Sequence, residues 1–243
     1  MMRSSPKSYM ASLLAALAVI GGFQQGFRNI IPQVALAVLT AVIFDMLLRY
    51  FIRKETVFPS SAFITGMIIA LVLSPGIRWY VPVAASGVAI LQKYIIRYRG
   101  RHIFNPANFG LLSAIFIFLA YPTWWGHSFS PLIVAVGVFI SYKMKRLRLP
   151  VIFAAVFSIL FAVDNLFSGR PISNSIGLVN LFFLFIMLPE PMTCPKTGKG
   201  VIIYAVSAAV LSFIFFKAAP AHDFSILALA AANALVPFLN RLE

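Results

Sequence analysis

The stretch "SAFITGMIIALVLSP", Ser61–Pro75, carries no charge and stops at a proline. A helical bilayer crossing takes about 20 residues, so this run is short for one. Pro75 cannot continue a helix. A second apolar run, centred on Ile176–Leu188, also stops at prolines, Pro189 and Pro191. Short or proline-broken apolar spans belong to membrane proteins, where they mark sites near the bilayer midplane.

The rest of the chain agrees. Of 243 residues 61% are apolar and only 11% are charged. A soluble domain carries about a quarter charged residues. The mean hydropathy is +0.93, so the solvent for most of this chain is lipid. The 24 Phe against 3 Trp suit lipid-facing helices. The single cysteine, Cys194, excludes an internal disulfide and a multi-cysteine metal site. The net charge of +14 reads as a bias of membrane loops, not as a nucleic-acid surface, because no soluble basic domain is present.

Ten apolar spans are predicted. They centre on Ser12–Gly22, Ile30–Ile52, Ile64–Ser74, Val81–Ile96, Phe109–Ala120, Pro131–Tyr142, Val151–Val163, Ile176–Leu188, Val201–Phe216 and Ser225–Leu239. The first follows Arg3 and Lys7 and reads as a retained helix rather than a signal peptide, since no clear cleavage site precedes a soluble region. With the N-terminus inside and the spans alternating, sixteen Lys and Arg fall inside. Only Arg28, Arg78, Arg170 and Lys217 fall outside. That asymmetry predicts a multi-pass protein of the plasma membrane with both termini cytoplasmic. The predicted fold is all-α, a single membrane domain over residues 1–243. It divides into two five-span repeats of opposite orientation, about 1–122 and 123–243, with the Ser-rich starts and Pro-ended helices of 60–96 and 173–216 in corresponding places.

Three polar segments interrupt the spans. In "QKYIIRYRGRHIFNPANFG", Gln92–Gly110, the basic residues suit topology and contact with anionic headgroups. Asn105 is a good N-cap, Pro106 fits a first helical position, and Asn108 follows one turn in. The bland reading is capping. The functional one is a phosphate or ring carbonyl held at the helix end. In "LPEPMTCPKTGKG", Leu188–Gly200, Glu190 sits at a broken helix end, either as a site or as a partner of Lys196 or Lys199. "KTGKG" lacks the glycine spacing and the preceding strand of a phosphate loop. Asp45 and Arg49 have the spacing of an ion pair on one helix face, and the sharper alternative is a cation path through Asp45. His102, His127 and His222 show no metal-ligand spacing. No catalytic arrangement is evident.

"SAFITGMIIALVLSP", "HIFNPANFG" and Glu190-Pro191-Met192-Thr193-Cys194-Pro195-Lys196-Thr197-Gly198-Lys199-Gly200, taken in order, resemble the RnfD/NqrB family over roughly residues 40–240. The last segment is similar to the family's Asp-Pro-x-Thr-x-Pro-x-Thr-x-x-Gly, with Glu190 for Asp. These are membrane subunits of Rnf-type and sodium-pumping NADH:quinone oxidoreductase complexes. The resemblance implies two inverted five-helix repeats, similar to urea transporters, and a flavin joined through its phosphate to the Thr of an extracytoplasmic Asp-x-x-(x)-Ser-Gly-Ala-Thr motif.

"VDNLFSGRPISNS", Val163–Ser175, supplies Asp164 and Ser168-Gly169 for that motif, but Arg170-Pro171 stands where Ala-Thr is expected. Pro171 has no hydroxyl to form a phosphoester. Ser173 and Ser175 have one at the wrong spacing. The flavin, FMN or riboflavin, is therefore expected to be non-covalent, with Arg170 available to its phosphate. The candidate cofactor residues are Asn105, Pro106, Asn108, Asp164, Ser168, Gly169, Arg170, Glu190 and Thr193. The implied partners are the bilayer and other membrane subunits of a redox complex, and the implied role is electron transport across the membrane. A small-solute channel on the same scaffold is the alternative, since a fold does not fix a function.

Overall fold

The computed structural model describes residues 5–242. Among these residues there are ten α-helices and one hairpin of two two-residue strands. Four helices are long and apolar enough to cross a membrane: α1 (Pro6–Gln25), α2 (crossing over Phe27–Ile52), α7 (Arg148–Phe167) and α9 (Gly198–Ala218). Large apolar side chains stand exposed along them, such as Phe23, Leu39, Ile43 and Ile159. Water does not tolerate such continuous faces, but lipid does. The chain is a multi-pass membrane protein. The other helices have 16 residues or fewer, somewhat short of a full crossing.

The chain divides into two compact units. The first runs to Arg97 and includes Pro106–Val136. In it α2 packs on α3 (Ser60–Val72) and on α4 (Tyr80–Ile95), α4 packs on α5 (Pro106–Phe118), and α1 packs on α3. α3 and α2 meet closely because Gly66 has no side chain: a Cβ there would lie 2.7 Å from Val38 Cα and 2.8 Å from Ala37 O. α3 has 13 residues, which is about 20 Å of helix and short of a crossing. Its last carbonyls need partners away from water. Gln33 Nε2 donates to Ala70 O and Leu73 O at 2.9 and 3.1 Å. Trp125 Nε1 donates to Ala70 O at 2.8 Å. The amides of Thr123 and Trp124 both reach Val72 O. The Pro-ended helix read from Ser61–Pro75 is thus a capped half-span.

The second unit is Tyr98–Asn105 together with the chain from Gly137 onward. Here α7 packs on α9, and α9 on α10 (Phe224–Leu239). One face of α7 repeats every fourth residue, Leu149, Phe153, Phe157, Phe161 and Asn165, and all five are buried. The helical period puts them in one stripe. Phe157 and Phe161 stack at 4.3 Å, and Phe161 meets Phe216 edge-on at 4.9 Å. Many phenylalanines therefore fill the interior of this unit rather than facing lipid as their abundance suggested. Phe is bulky enough to fill the gap between helices.

The eighth predicted span is not one continuous helix. A single turn, α8 (Asn174–Gly177), is followed by a break and then a π-helical turn over Phe183–Met187. The π geometry shows in the bond from the Leu188 amide to Phe183 O. Asn180 Oδ1 accepts from the Phe183 amide at 3.0 Å and starts the second piece. Gly177 and Asn180 are poor helix-interior residues, and Asn is a good cap, so the chain breaks there.

Candidate functional site

The loop after α4 forms the hairpin β1 (Arg97–Tyr98) and β2 (Arg101–His102). Its residues 98–105 join the second unit, beside the Pro-rich segment after Leu188. The positively charged Arg101 donates to Pro191 O. His102 Nε2 and Glu190 Oε1 are 3.3 Å apart, and Thr193 Oγ1 donates to Glu190 Oε2 at 2.9 Å. The partner of Glu190 is thus His102, not Lys196 or Lys199. The prolines turn the chain so that Glu190 meets the hairpin rather than following the helix toward the lysines.

A second set of bonds ties in Asn105. Its backbone amide donates to Asn233 Oδ1 at 2.9 Å, and its Nδ2 donates to Met187 O at 3.0 Å. Asn233 Nδ2 in turn donates to Thr193 O at 3.2 Å and to the Tyr204 hydroxyl at 2.9 Å. Asn105, Thr193, Asn233 and Tyr204 are all buried. The knot joins the basic loop, the Pro-rich segment, α9 and α10. Sequence reasoning missed Asn233 and Tyr204. The available signal was Asn233 itself, the one side-chain amide within the apolar helix Phe224–Leu239.

Cys194 lies in the same knot, fully buried, with its Sγ 3.2 Å from Leu188 O. Burial pushes its thiol up to about 12. Thr197 caps α9, accepting from the Gly200 amide at 3.1 Å, so "TGKG" is a helix start. A small cleft of about 190 Å³ opens beside the knot, with Tyr98, Arg99, Arg101, Lys196 and Arg241 in its wall.

The remaining candidates lie elsewhere. Pro106 and Asn108 open α5 in the first unit, both buried. Asp164, Ser168, Gly169 and Arg170 close α7. Asp164 is held by Lys217 Nζ at 2.6 Å, near the end of α9. α9 spans 21 residues, so about 30 Å of helix separates that end from the knot at its start. The candidates in the second unit therefore form two separate groups, and Pro106 and Asn108 belong to the first unit.

In the first unit Asp45 is fully buried. Arg49 Nε reaches it at 2.7 Å, as the spacing predicts, but Lys93 Nζ at 2.9 Å and the Tyr94 hydroxyl at 3.0 Å also donate to it. A carboxylate with three donors is a structural anchor for α2 and α4.

Residues 2–131 match the family model described as NQR2, RnfD, RnfE. The chain belongs to that family. Among relatives in the RnfD branch, it is 21% identical to the D subunit of the proton-translocating ferredoxin:NAD(+) oxidoreductase complex of Clostridium ljungdahlii over 290 aligned positions. That alignment takes in 94% of this chain and 86% of the relative. It is 32% identical over 123 residues to the D subunit of an ion-translocating oxidoreductase complex of Yersinia enterocolitica, and 30% over 101 residues to that of Tolumonas auensis. Those matches cover 46% and 40% of this chain, and 34% and 29% of the relatives.

The residues at the expected flavin anchor of the NQR2, RnfD, RnfE family do not fit a phosphoester-linked flavin. Pro171 offers no hydroxyl. Ser175 is buried and accepts from Asn165 Nδ2 at 3.0 Å. Ser168 closes α7, Gly169 takes the left-handed conformation (φ +67°) that a helix end favours, and Arg170 is exposed. At the knot, the Asn105, Glu190 and Thr193 atoms named above already have protein partners.

Proposed function

We propose that the chain is a membrane subunit of an ion-translocating oxidoreductase complex and takes part in electron transport across the plasma membrane with partner subunits. The observation that carries this reading is family membership over residues 2–131, together with the match of 94% of the chain to the D subunit of such a complex. In this reading both termini are cytoplasmic, as the distribution of Lys and Arg favours. The knot of His102, Asn105, Glu190 and Thr193 then lies toward the cytoplasm, and Asp164–Arg170 lies outside.

The same reading includes one membrane domain of two inverted five-helix repeats, about 1–122 and 123–243, of the urea-transporter kind. Matching packing supports it. α2 packs on α4 and α4 on α5, while α7 packs on α9 and α9 on α10. In each set an Asp of the second helix meets a Lys of the fourth, Asp45 with Lys93 and Asp164 with Lys217.

Any flavin in this reading is held without a covalent bond, since Pro171 replaces the acceptor. Protein purified in mild detergent should show flavin absorbance that acid or heat releases, and no fluorescent band after denaturing electrophoresis. A colourless preparation would overturn the flavin. A fluorescent denatured band would overturn the non-covalent assignment. Co-purification with other membrane subunits after gentle solubilisation tests the complex, and a chain that purifies alone from its native membrane under those conditions speaks against it.

A further inference from the structure

In the second unit a cavity of about 790 Å³ opens between the α6–α7 turn and the start of α9, where α6 is Ser130–Lys143. Five basic residues line it, Lys143, Lys145, Arg146, Arg148 and Lys196, and no carboxylate does. Among the described residues the acidic side chains are engaged elsewhere. Asp45 holds Arg49 and Lys93, Glu55 lies near Arg49, Asp164 holds Lys217, Glu190 meets His102, and Asp223 caps α10. Lys145, Arg146, Arg148 and Lys196 thus share one concave surface, and none of the ion pairs just named includes them. Like charges held close repel, and an anion between them relieves that repulsion.

The turn is shaped to point a guanidinium inward. Lys145 adopts the left-handed conformation (φ 55°), and the Arg146 amide donates back to Ser141 O at 2.8 Å. The Arg146 side chain reaches toward the buried Cys194. Its Nη1 is buried on the protein side of the cavity wall, while the residue as a whole is half-buried and lines the cavity. Thr197 and Gly198, at the first turn of a 21-residue helix, line the same cavity. The start of that helix adds partial positive charge. The remaining wall includes Tyr142, Val201 and Ile202. Tyr142 is 72% exposed and Ile202 49%. Charged and apolar side chains in one wall suit a ligand that is anionic at one end and apolar at the other.

We propose that this cavity binds a phosphate group, carried by an anionic phospholipid whose acyl chains leave along Val201 and Ile202. The guanidinium of Arg146 takes a phosphate oxygen, and Lys145 and Lys196 neutralise the rest of its charge. This site is separate from the flavin reading, and it shares only Lys196 with the cleft walled by Arg99 and Arg241.

The test titrates the full-length, delipidated protein in detergent with short-chain phosphatidylglycerol, the matching phosphatidylcholine, or inorganic phosphate. Thermal unfolding and native mass spectrometry are the readouts. Phosphatidylglycerol should raise the midpoint and stay bound in the spectrometer, while phosphatidylcholine does neither. Arg146→Gln should weaken that binding about tenfold, the scale of one charged hydrogen bond. Lys145→Gln with Lys196→Gln is the second variant, whose side chains are not buried in the turn, and it should weaken binding as well. Arg99→Gln with Arg241→Gln, exposed charges that do not line the cavity, should leave it within about twofold. If inorganic phosphate stabilises as strongly as the lipid and Arg146→Gln removes both effects, the phosphate site stands and its occupant is soluble. Equal binding of both lipids, no effect of any anion, or equal losses in the Arg99/Arg241 control would overturn the proposal.

Discussion

Lys217 Nζ stands 2.6 Å from Asp164 Oδ1 and joins the end of α7 to the end of α9. Lys93 and Asp45 join α4 to α2 in the same manner at 2.9 Å. The surroundings differ. Asp45 is fully buried and Lys93 is only 11% exposed, whereas Lys217 is 46% exposed.

That difference predicts unequal costs. Removing one partner of a buried pair costs about 3–5 kcal/mol, while an exposed pair is worth about 0–1 kcal/mol. Lys93→Met should therefore lower the thermal midpoint in detergent sharply, and Lys217→Met only slightly. Similar shifts in the two variants would show that Asp45 does not anchor the first unit.

Asn233→Ala removes an acceptor from the Asn105 amide and a donor from Thr193 O and the Tyr204 hydroxyl. Each buried group left unpaired costs about 1–3 kcal/mol, so the variant should lose several kcal/mol of stability. Hydrogen exchange at the Asn105 amide should rise with it. Unchanged exchange at that amide would refute the knot.

Gly66→Ala should cost about 1–3 kcal/mol by pushing α3 away from α2, the usual scale of overpacking. Gly87→Ala in α4 meets nothing within 4 Å. It should be neutral or stabilising by up to about 1 kcal/mol, because alanine favours the helix. The two variants, compared by thermal unfolding, separate close packing from helix propensity.

Burial raises the Cys194 thiol to about 12, so it stays protonated at pH 7–9. A thiol is far less nucleophilic than a thiolate. Folded protein should resist maleimide across that pH range and label fully once denatured in detergent. Rapid labelling of the folded protein would place Cys194 at the surface.

The anchor segment has its own test. Arg170→Ala with Pro171→Thr restores the acceptor sequence after Ser168-Gly169. Co-expressed with a flavin transferase, this double variant should gain a fluorescent band in a denaturing gel. Wild-type protein should show none. Fluorescence in the wild type would mean that another residue accepts the flavin.

Several features were legible in the sequence because they are local or compositional. The membrane class follows from apolar content. The Asp45–Arg49 pair follows from helical spacing. The missing acceptor is a matter of one side chain, Pro171. The capped half-span over Ser61–Pro75 was visible as a short run ending at proline, although its caps, Gln33 and Trp125, were not.

The partners across the chain were decided by tertiary structure alone. Lys93 lies 48 residues from Asp45, His102 lies 88 from Glu190, and Asn105 lies 128 from Asn233. Periodicity tells which face of a helix is apolar, but not which other helix that face meets. The phenylalanines of α7 show the same limit. They fall on one stripe of the helix, and only the packing of α9 and α10 turned that stripe inward instead of toward lipid. The basic cavity also arises this way. Its lysines and arginines read as topology in one dimension, and the turn at Lys145 brings them beside the start of α9, where their charges act together.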